Sequence, residues 1–330
     1  MVLLSKTPLR ISFFGGGTDY PEYYMRRSGS VLGMSINKYI YIALIEMCGI
    51  QDYKYRISYS VLELAKSIDS INHPVIRAIL KDFSIEASLD ISIMSDMPAN
   101  SGLGSSSSFT VGLVNLLKAF QNVGATKLDI ALDAIRTERD LLHENVGIQD
   151  QLHASFGGLN KFEFNSSSIS VTPVVMTSKN LNTLNNSLFL VYTGKQRHAS
   201  HVVKKQVIST ASGELDSALE SLQFLLLDAE KLLRMSTTND LLFDFGALLM
   251  EGWIIKKSLS TCISNSDIDD LASLCILNGA TGLKLCGAGS GGFILCVVAE
   301  CRQDTFIKQM EPFRAIKVCM DLEGTTIVAK

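Results

Sequence analysis

Residues 98–108 read Pro-Ala-Asn-Ser-Gly-Leu-Gly-Ser-Ser-Ser-Ser, and this stretch decides the fold. Glycines allow a sharp turn whose backbone N–H groups converge on one point, and the start of a helix adds further donors and positive potential. Such a loop is typical of a phosphate cradle, in which serine hydroxyls bond a phosphate oxygen or a magnesium ion. A plain turn with helix-capping serines is the alternative. The stretch lacks the G-K-[ST] of a Walker loop.

The segments around this loop predict a strand before it and a buried helix after it. Residues 89–95 alternate apolar and polar side chains, the period of a half-buried strand, whereas from residue 105 apolar side chains surround the helix. Thr126 and Asp129 resemble a capping box and predict a helix over 127–144 that ends at Gly147. Strands are predicted over 8–14, 31–47, 157–175 and 293–299, and helices near 199–234, 240–261 and 268–278. This mixed order favours an α+β fold.

Two acidic residues stand where phosphoryl-transfer chemistry needs them. That chemistry requires a cation beside the triphosphate and a group that accepts the hydroxyl proton. Glu138 lies in the predicted helix and, with Ser106, would hold magnesium; Asp150 lies just past that helix and would be the base. The ordinary alternatives are a solvated helix charge for Glu138 and a helix cap for Asp150. Neither assignment stands without the serine-glycine loop.

Two further glycine clusters flank this central region. Residues 287–292 satisfy G-x-G-x-x-G, but residues 293–298 read as a strand where a dinucleotide site needs a helix. This order excludes a Rossmann site and leaves either a close approach to a ligand or a tight turn between strands. Residues 14–19, Phe-Gly-Gly-Gly-Thr-Asp, end in an acid suited to sugar hydroxyls, or form a turn that ends a strand.

The composition indicates which binding partners and which cellular compartment to expect for the protein. The 330 residues are 47% hydrophobic, and the net charge of −3 leaves no basic excess, so we expect no nucleic-acid partner. The seven cysteines are scattered, which is typical of reduced thiols in a cytoplasmic protein. The N-terminus lacks a signal-peptide pattern, and no run reaches the ~18 apolar residues that span a bilayer. We therefore expect a cytoplasmic protein without a membrane partner.

The three glycine-containing motifs, taken in order, resemble those of the GHMP small-molecule kinases, the family of galactokinase, homoserine kinase and mevalonate kinase. The motifs are residues 8–20, 98–108 and 284–292, and they span nearly the whole chain. The resemblance implies a two-domain α+β kinase with ATP and Mg²⁺ in the cleft. It predicts an N-terminal ribosomal-S5-domain-2-like domain over residues 1–175 and a C-terminal ferredoxin-like α/β domain over residues 176–330.

The resemblance also implies roles for individual residues. Asp150 matches the base in the similar G-I-x-D-Q segment of galactokinases, and Arg10 matches the basic residue that lowers the pKa of the acceptor hydroxyl. Ser106 and Glu138 match the magnesium ligands. The residues expected to bind ATP are Pro98, Asn100, Ser101, Gly102, Leu103, Gly104, Ser105, Ser106 and Ser107. The residues expected to bind the sugar are Gly16, Gly17, Thr18, Asp19, Arg197, Gly287 and Gly289.

One departure from galactokinases bears on the substrate. Galactokinases carry G-E-H-T-D-Y in motif one, and this chain replaces the Glu-His pair with Gly16-Gly17, which opens space, removes a sugar contact and disfavours galactose. The G-G-G-T-D form and residues 156–160 and 192–200 look like the branch that phosphorylates the anomeric hydroxyl of D-glycero-D-manno-heptose 7-phosphate for nucleotide-heptose synthesis.

Such a substrate needs positive charge for its phosphate. Arg197 is the expected contact because it lies in a segment similar to that branch. The other basic candidates are Lys195 and His198, or Lys256 and Lys257 beside Trp253. A solvated surface position is the ordinary alternative for each of them.

Three other functions are alternatives to this one. A C1 kinase of a neutral sugar, of the fucose or galactose type, stays within the same chemistry. A catalytically inactive sugar sensor on the same fold would have lost the loop or the base, whereas Ser106, Glu138 and Asp150 are all present. Nucleic-acid binding, suggested by the ribosomal topology of the N-terminal domain, is disfavoured by the net charge. The sequence specifies no oligomeric state.

Overall fold

Two β-sheets organise the chain. The computed structural model describes residues 2–195, 200–235 and 240–329, with the backbone alone for residues 200–202. The strands are β1 (Val2–Phe14), β2 (Gly29–Glu46), β3 (Tyr55–Ser58), β4 (Leu62–Ala65), β5 (Leu89–Ser95), β6 (Leu159–Phe164), β7 (Ile169–Pro173), β8 (Leu188–Tyr192), β9 (Ala280–Leu285), β10 (Phe293–Val298), β11 (Ile316–Lys317) and β12 (Thr326–Ala329). The helices are α1 (Pro21–Tyr24), α2 (Pro74–Asp82), α3 (Ser105–Phe120), α4 (Lys127–Arg136), α5 (Gln149–Phe156), α6 (Ser178–Asn185), α7 (Ser200–Ala211), α8 (Asp216–Met235), α9 (Leu241–Ser258), α10 (Ser266–Leu277) and α11 (Gln303–Gln309).

The first sheet is built around the 18-residue strand β2. One edge of β2 pairs with β1 over most of its length, while its other edge pairs with β6 in the first half and with β5 in the second. The strand order β12-β1-β2-β5-β3-β4, with β6 and β7 attached beside β2, makes an eight-stranded sheet. The last strand, β12, therefore returns to the N-terminal sheet, although the predicted division of the chain places it in the C-terminal part.

The second sheet has four antiparallel strands in the order β11-β8-β10-β9, and β9 and β10 flank the third glycine cluster. Both sheets share a core. Phe245 of α9 packs edge-on against Phe13 and Phe14 at the end of β1, with ring centroids 5.3 Å and 5.7 Å apart. The mixture of helices with two sheets confirms the α+β prediction, and the end of β1 lies where the two sheets meet.

The predicted helix over 127–144 is shorter in the structure. The capping box forms as expected, because the Thr126 hydroxyl accepts a hydrogen bond from the N–H of Asp129 at 3.1 Å. However, α4 ends at Arg136 and continues as one π-helical turn, Thr137–Leu141. His143 then takes a left-handed φ of 54° and the N–H of Glu144 bonds the carbonyl of Glu138 at 2.9 Å, so the helix ends before Gly147.

The predicted helix over 199–234 is two helices. A turn over residues 212–215 separates α7 from α8, and Gly213 in that turn has a φ of 80° that favours glycine. The sequence pattern missed this break because apolar residues continue on both sides of the glycine. Among the residues described, no helix is both long enough and apolar enough to cross a membrane.

Two glycines allow α9 to lie directly on β9. A side chain at Gly282 of β9 would overlap the backbone of Gly246 in α9, and a side chain at Gly246 would come within 2.6 Å of the carbonyl oxygen of Thr281. The helix backbone therefore touches the strand backbone. This contact fixes α9 beside the end of β1.

The first prediction tests this backbone contact. Gly282→Ala should lower the free energy of unfolding by about 1–3 kcal/mol, because the helix must move away from the strand. Gly124→Ala is the control, since a side chain there meets nothing within 4 Å and should leave stability nearly unchanged. Urea unfolding of both variants measures the difference. Equal stability of the two variants would contradict the contact.

Candidate active site

A cavity of about 610 Å³ lies where β1, the serine-glycine loop and the third glycine cluster meet. Its walls come from the end of β1, the residues that follow it, the loop before α3, residues 143–150, and parts of α7, α8 and α9. The lining includes charged groups, among them Arg10, Asp19 and Asp150. It also includes apolar groups, among them Val203 and Leu222. The cavity therefore offers both polar and apolar contacts to a ligand.

The serine-glycine loop has the geometry expected of a phosphate cradle. Asn100, Gly102 and Gly104 all take left-handed φ values, of 57°, 83° and 75°. A side chain at Gly102 would lie 2.6 Å from the carbonyl oxygen of Cys286, so the loop packs backbone to backbone against the third motif. The loop leads into the N-terminus of the 16-residue helix α3, whose first N–H groups favour an anion.

The four serines have different surroundings. Ser105, Ser106 and Ser107 line the cavity, as do Asn100, Gly102 and Gly104 among the expected ATP contacts. The hydroxyl of Ser107 donates to Glu138 at 2.9 Å, and that of Ser108 donates to the Pro8 carbonyl at 2.8 Å. The remaining expected ATP contacts are not lining residues, since Pro98 is exposed, Ser101 is buried and Leu103 is part of the core.

Arg10 and Asp150 form a two-pronged ion pair beside the loop. The Nε and Nη2 groups of Arg10 donate to the two carboxylate oxygens of Asp150, each at 2.8 Å. The Nη1 group of Arg10 donates to the Gly102 carbonyl at 2.7 Å. A side chain at Gly104 would come within 3.3 Å of the Asp150 carboxylate. The structure therefore brings the predicted base, its basic partner and the phosphate loop to one place.

Glu138 is fully buried on the π-helical turn. Its Oε2 accepts hydrogen bonds from Ser107 and from the side-chain amide of Gln151, whereas its Oε1 has no partner within the described part of the chain. Burial raises the pKa of Glu138 to about 7, although the hydroxyls of Thr110 and Ser107 and the Gln151 amide act in the opposite direction. The sequence paired Glu138 with Ser106, and the structure places Ser107 against it and exposes Ser106 to the cavity.

Asp19 is held from both sides at the cavity wall. Its carboxylate accepts from the N–H of Gly17 at 3.0 Å and from the N–H of Gln149 at 3.3 Å. Burial, with the nearby charge of Asp150, raises the pKa of Asp19. A side chain at Gly147 would overlap this carboxylate, so Gly147 keeps the wall open for Asp19 instead of ending a helix.

The two glycines that replace Glu-His differ in their surroundings. A side chain at Gly16 would meet only Ser12 Oγ at 3.5 Å and Gln149 Nε2 at 3.7 Å, which are ordinary contact distances. Gly17 has a φ of 106°, and a side chain there would lie 2.9 Å from Leu219 and 3.0 Å from Gln206. The expected open space therefore exists beside Gly16 but is filled beside Gly17, where glycine is required by the backbone.

Thr18 and Gly289 contact the protein's own backbone. The Thr18 hydroxyl lies 2.8 Å from the Gly15 carbonyl and 2.9 Å from the Ser30 carbonyl, which closes the turn after β1. A side chain at Gly289 would lie 2.7 Å from the Cα of Ile263, whereas Gly287 lines the cavity. Of the expected sugar contacts within the described residues, Gly16, Gly17, Asp19 and Gly287 line the cavity, whereas Thr18 and Gly289 do not.

The basic residues are spread unevenly around the cavity. Arg197 and His198 lie outside the described residues. Lys195 pairs with Asp267 and Lys257 pairs with Asp269, both at the surface. Lys256 does line the cavity, where its ammonium group donates to the carbonyls of Leu285 and Gly287.

Several cavity residues were not assigned roles from the sequence. Lys284 is buried, donates to the carbonyls of Ser12 and Phe13, and has a pKa lowered to about 8 by burial and by the nearby Arg10 charge. Ser12, Gln149 and residues 143–147 also line the cavity. Lys284 opens the third motif and Gln149 is the variable position of G-I-x-D-Q, but only the fold shows that they face one space.

Comparison with known proteins gives the family of this chain. Residues 69–158 match the model of the GHMP kinases N-terminal domain. A D-glycero-alpha-D-manno-heptose 7-phosphate kinase of Campylobacter jejuni is 31% identical, over 93% of this chain and 92% of that protein. A bifunctional fucokinase/GDP-fucose pyrophosphorylase of Arabidopsis thaliana is 26% identical over 92% of this chain but only 30% of its own length.

A solved structure extends the comparison to the fold. The crystal structure of a putative sugar kinase from Campylobacter jejuni superposes with a TM-score of 0.69 at 28% identity and covers 99% of this chain and 98% of that one. The match spans both sheets and therefore the cavity between them. These similarities show that the chain is an enzyme, a kinase that belongs to the GHMP family.

Proposed function

We propose that this kinase transfers the γ-phosphoryl group of ATP to the anomeric C1 hydroxyl of D-glycero-D-manno-heptose 7-phosphate. The product is the 1,7-bisphosphate, a precursor for nucleotide-heptose synthesis. The observation that carries the proposal is the Arg10–Asp150 ion pair, whose carboxylate lies against Gly104 of the phosphate loop. A hydroxyl beside Asp150 can lose its proton to that carboxylate while it faces a phosphate held by the loop.

The choice of a heptose phosphate is supported by two features. The chain is similar to a protein named as a heptose 7-phosphate kinase, at 31% identity over 93% of its length. The space beside Gly16 leaves room for a sugar larger than the hexose of a galactokinase. Arg197 remains the proposed contact for the substrate phosphate, and Lys256, which lines the cavity, is a second candidate.

We further propose that Glu138 and Ser106 hold a Mg²⁺ ion. The buried Oε1 of Glu138 lacks a hydrogen-bond partner among the residues described, and an unpaired buried carboxylate oxygen suits a cation. No group of three or more His, Cys, Asp or Glu side chains is gathered as a metal site in the described chain. One carboxylate and a hydroxyl suffice here because magnesium takes its remaining ligands from phosphates and water. Bound there, the ion would neutralise the charge of the triphosphate.

A neutral-sugar kinase of the fucose type is the second candidate. The apolar lining residues Val203, Leu222 and Leu259 favour it, because a methyl group of the sugar could pack against them. The similarity to the Arabidopsis fucokinase is consistent with it, at 26% identity. An inactive sensor is disfavoured because the loop and the base line one cavity and the buried Glu138 accepts a hydrogen bond from Ser107 of that loop.

The second prediction tests the substrate. Wild-type enzyme should consume ATP with D-glycero-D-manno-heptose 7-phosphate far faster than with the heptose that lacks the phosphate, or with L-fucose or galactose. ADP release measures the rate, and phosphorus NMR of the product identifies the phosphorylated carbon. Equal rates with and without the 7-phosphate would contradict the heptose-phosphate proposal. A preference for L-fucose would establish the second candidate instead.

The third prediction tests the base. Asp150→Asn should lower kcat by roughly 10²–10⁴-fold, because the amide cannot accept the hydroxyl proton. The control is Asp52→Asn at an exposed position, which should keep wild-type turnover. Steady-state kinetics and circular dichroism of both variants separate lost chemistry from lost folding. Turnover of folded Asp150→Asn within a few fold of wild type would refute the role of Asp150.

The fourth prediction tests the buried state of Glu138 through pH. Its pKa is about 7 in the folded chain against the ordinary glutamate value of 4.5, so between these pH values the unfolded chain releases a proton that the folded chain retains. Stability from this residue is therefore lost as the pH rises through that window. The stability of Glu138→Gln relative to wild type should therefore rise by roughly 2–3 kcal/mol from pH 5 to pH 8, since each pKa unit is worth about 1.4 kcal/mol.

Urea unfolding in buffer with EDTA measures this difference without bound metal. The exposed Glu46→Gln is the control and should show no such pH-dependent gain. If Glu138→Gln gains no stability relative to wild type between pH 5 and pH 8, Glu138 does not carry a raised pKa.

A further inference from the structure

Two polar side chains in the cavity have buried atoms without hydrogen-bond partners. Ser12 Oγ and Gln149 Oε1 are both shielded from solvent, and neither meets a partner within residues 2–195, 200–235 and 240–329. Both residues line the cavity. A buried polar atom without a partner destabilises the folded chain, so such atoms in a cavity point to a ligand that supplies the missing bonds.

The two side chains converge on one point from different elements. Ser12 lies near the end of β1 and Gln149 is the first residue of α5. A side chain at Gly16 would lie 3.5 Å from Ser12 Oγ and 3.7 Å from Gln149 Nε2, which places both groups around the same small space. Gly16 leaves that space open. A ligand atom that lies over Gly16 can therefore reach both side chains.

This space adjoins the proposed chemistry. Ser12 follows Arg10 by two residues on the same strand, so both side chains leave the same face of β1 and line the cavity. Gln149 directly precedes Asp150, and its N–H donates to Asp19 at 3.3 Å. Asp150 and the space over Gly16 therefore belong to the same cavity.

Lys284 fixes the strand end that carries Ser12. Its ammonium group donates to the carbonyl of Ser12 at 2.8 Å and to the carbonyl of Phe13. Those bonds use the Ser12 backbone and leave its hydroxyl out of the anchoring network. Lys284 therefore positions Ser12 through the backbone alone. The Ser12 hydroxyl is not needed for this anchoring and is free to contact a ligand.

We propose that Ser12 and Gln149 form a hydroxyl-binding subsite for the sugar, across Gly16 and beside the reacting hydroxyl. A sugar hydroxyl both donates and accepts, so it can donate to Gln149 Oε1 and accept from Ser12 or from the Gln149 amide. A neutral hydroxyl suits the subsite better than a phosphate, because the unpaired amide oxygen and the nearby Asp19 carboxylate both repel an anion. This inference rests on the sugar-kinase function proposed above.

The subsite makes stability and activity respond in opposite directions. Ser12→Ala and Gln149→Leu each remove a buried atom that lacks a partner, so the melting temperature should stay equal to or rise above that of wild type. Each variant should lower kcat/KM for the sugar by about tenfold, because a hydrogen bond to the ligand is lost. KM for ATP should change little. A purely structural role would instead lower the melting temperature.

Ser5→Ala provides a matched control on the same strand. Ser5 Oγ is also buried without a partner among the described residues, but Ser5 does not line the cavity. This variant should preserve or raise the melting temperature and leave kcat/KM for the sugar unchanged. The comparison separates the effect of removing a buried hydroxyl from the effect of removing a sugar contact.

The experiment measures kinetics and melting temperatures of wild type and the three variants, with D-glycero-D-manno-heptose 7-phosphate and its 2-deoxy analogue as probes. The subsite is supported if, for at least one variant, the loss of kcat/KM relative to wild type is smaller with the 2-deoxy analogue than with the full sugar, and the melting temperature is unchanged. If Ser12→Ala and Gln149→Leu both keep the wild-type kcat/KM for the sugar, the subsite proposal is wrong. Activity of the wild-type enzyme would still support the kinase function in that case. If wild-type enzyme phosphorylates none of these probes and neither L-fucose nor galactose, both the sugar-kinase function and the subsite are wrong. If it phosphorylates L-fucose or galactose instead, the variants are compared with that sugar and its 2-deoxy form.

Discussion

The ion pair between Arg10 and Asp150 is the constraint on which the rest of the site depends. It joins β1 to the start of α5, and the third contact of Arg10, to the Gly102 carbonyl, attaches the phosphate loop to the same group. Three segments distant in sequence are thereby fixed within hydrogen-bond distance of one side chain. Such a preorganised arrangement favours transfer chemistry, because the reacting groups need little reorganisation.

Around this pair, several polar groups lie where burial disfavours their charged form or where they lack a hydrogen-bond partner. Burial raises the pKa of Glu138 and Asp19 and lowers that of Lys284. Ser12 and Gln149 add buried atoms without partners in the described chain. Each of these groups destabilises the folded chain, and together they line or border a single cavity. Concentration of such groups at one place is typical of a site built for ligands and not for stability.

Much of this arrangement was predictable from the sequence because it depends on local rules. The glycines at 102 and 104 have the left-handed conformations that their positions in a phosphate loop suggest, and the Thr126 capping box forms at the start of α4. The fold class followed from the order of strands and helices. These features depend on residues close together in the chain, so hydrophobic periodicity and helix-capping patterns are enough to predict them.

The features that the sequence did not reveal depend on contacts between distant segments. Gly147 was expected to end a helix, but it is glycine because Asp19 lies against it. Gly17 was expected to open space, which Leu219 and Gln206 of the second half of the chain fill. Ser107 rather than Ser106 meets Glu138, which lies on a π-helical turn that no sequence pattern indicated. Arg197, predicted to bind the substrate phosphate, lies outside the described residues.

The most direct measurement is a crystal structure of the enzyme with a non-hydrolysable ATP analogue and the sugar phosphate. If Arg10 and Asp150 organise the reaction, the acceptor hydroxyl will lie within about 3.2 Å of the Asp150 carboxylate and face the terminal phosphate over the serine-glycine loop. A sugar bound with every hydroxyl beyond the reach of that carboxylate, even through one water, would contradict the account.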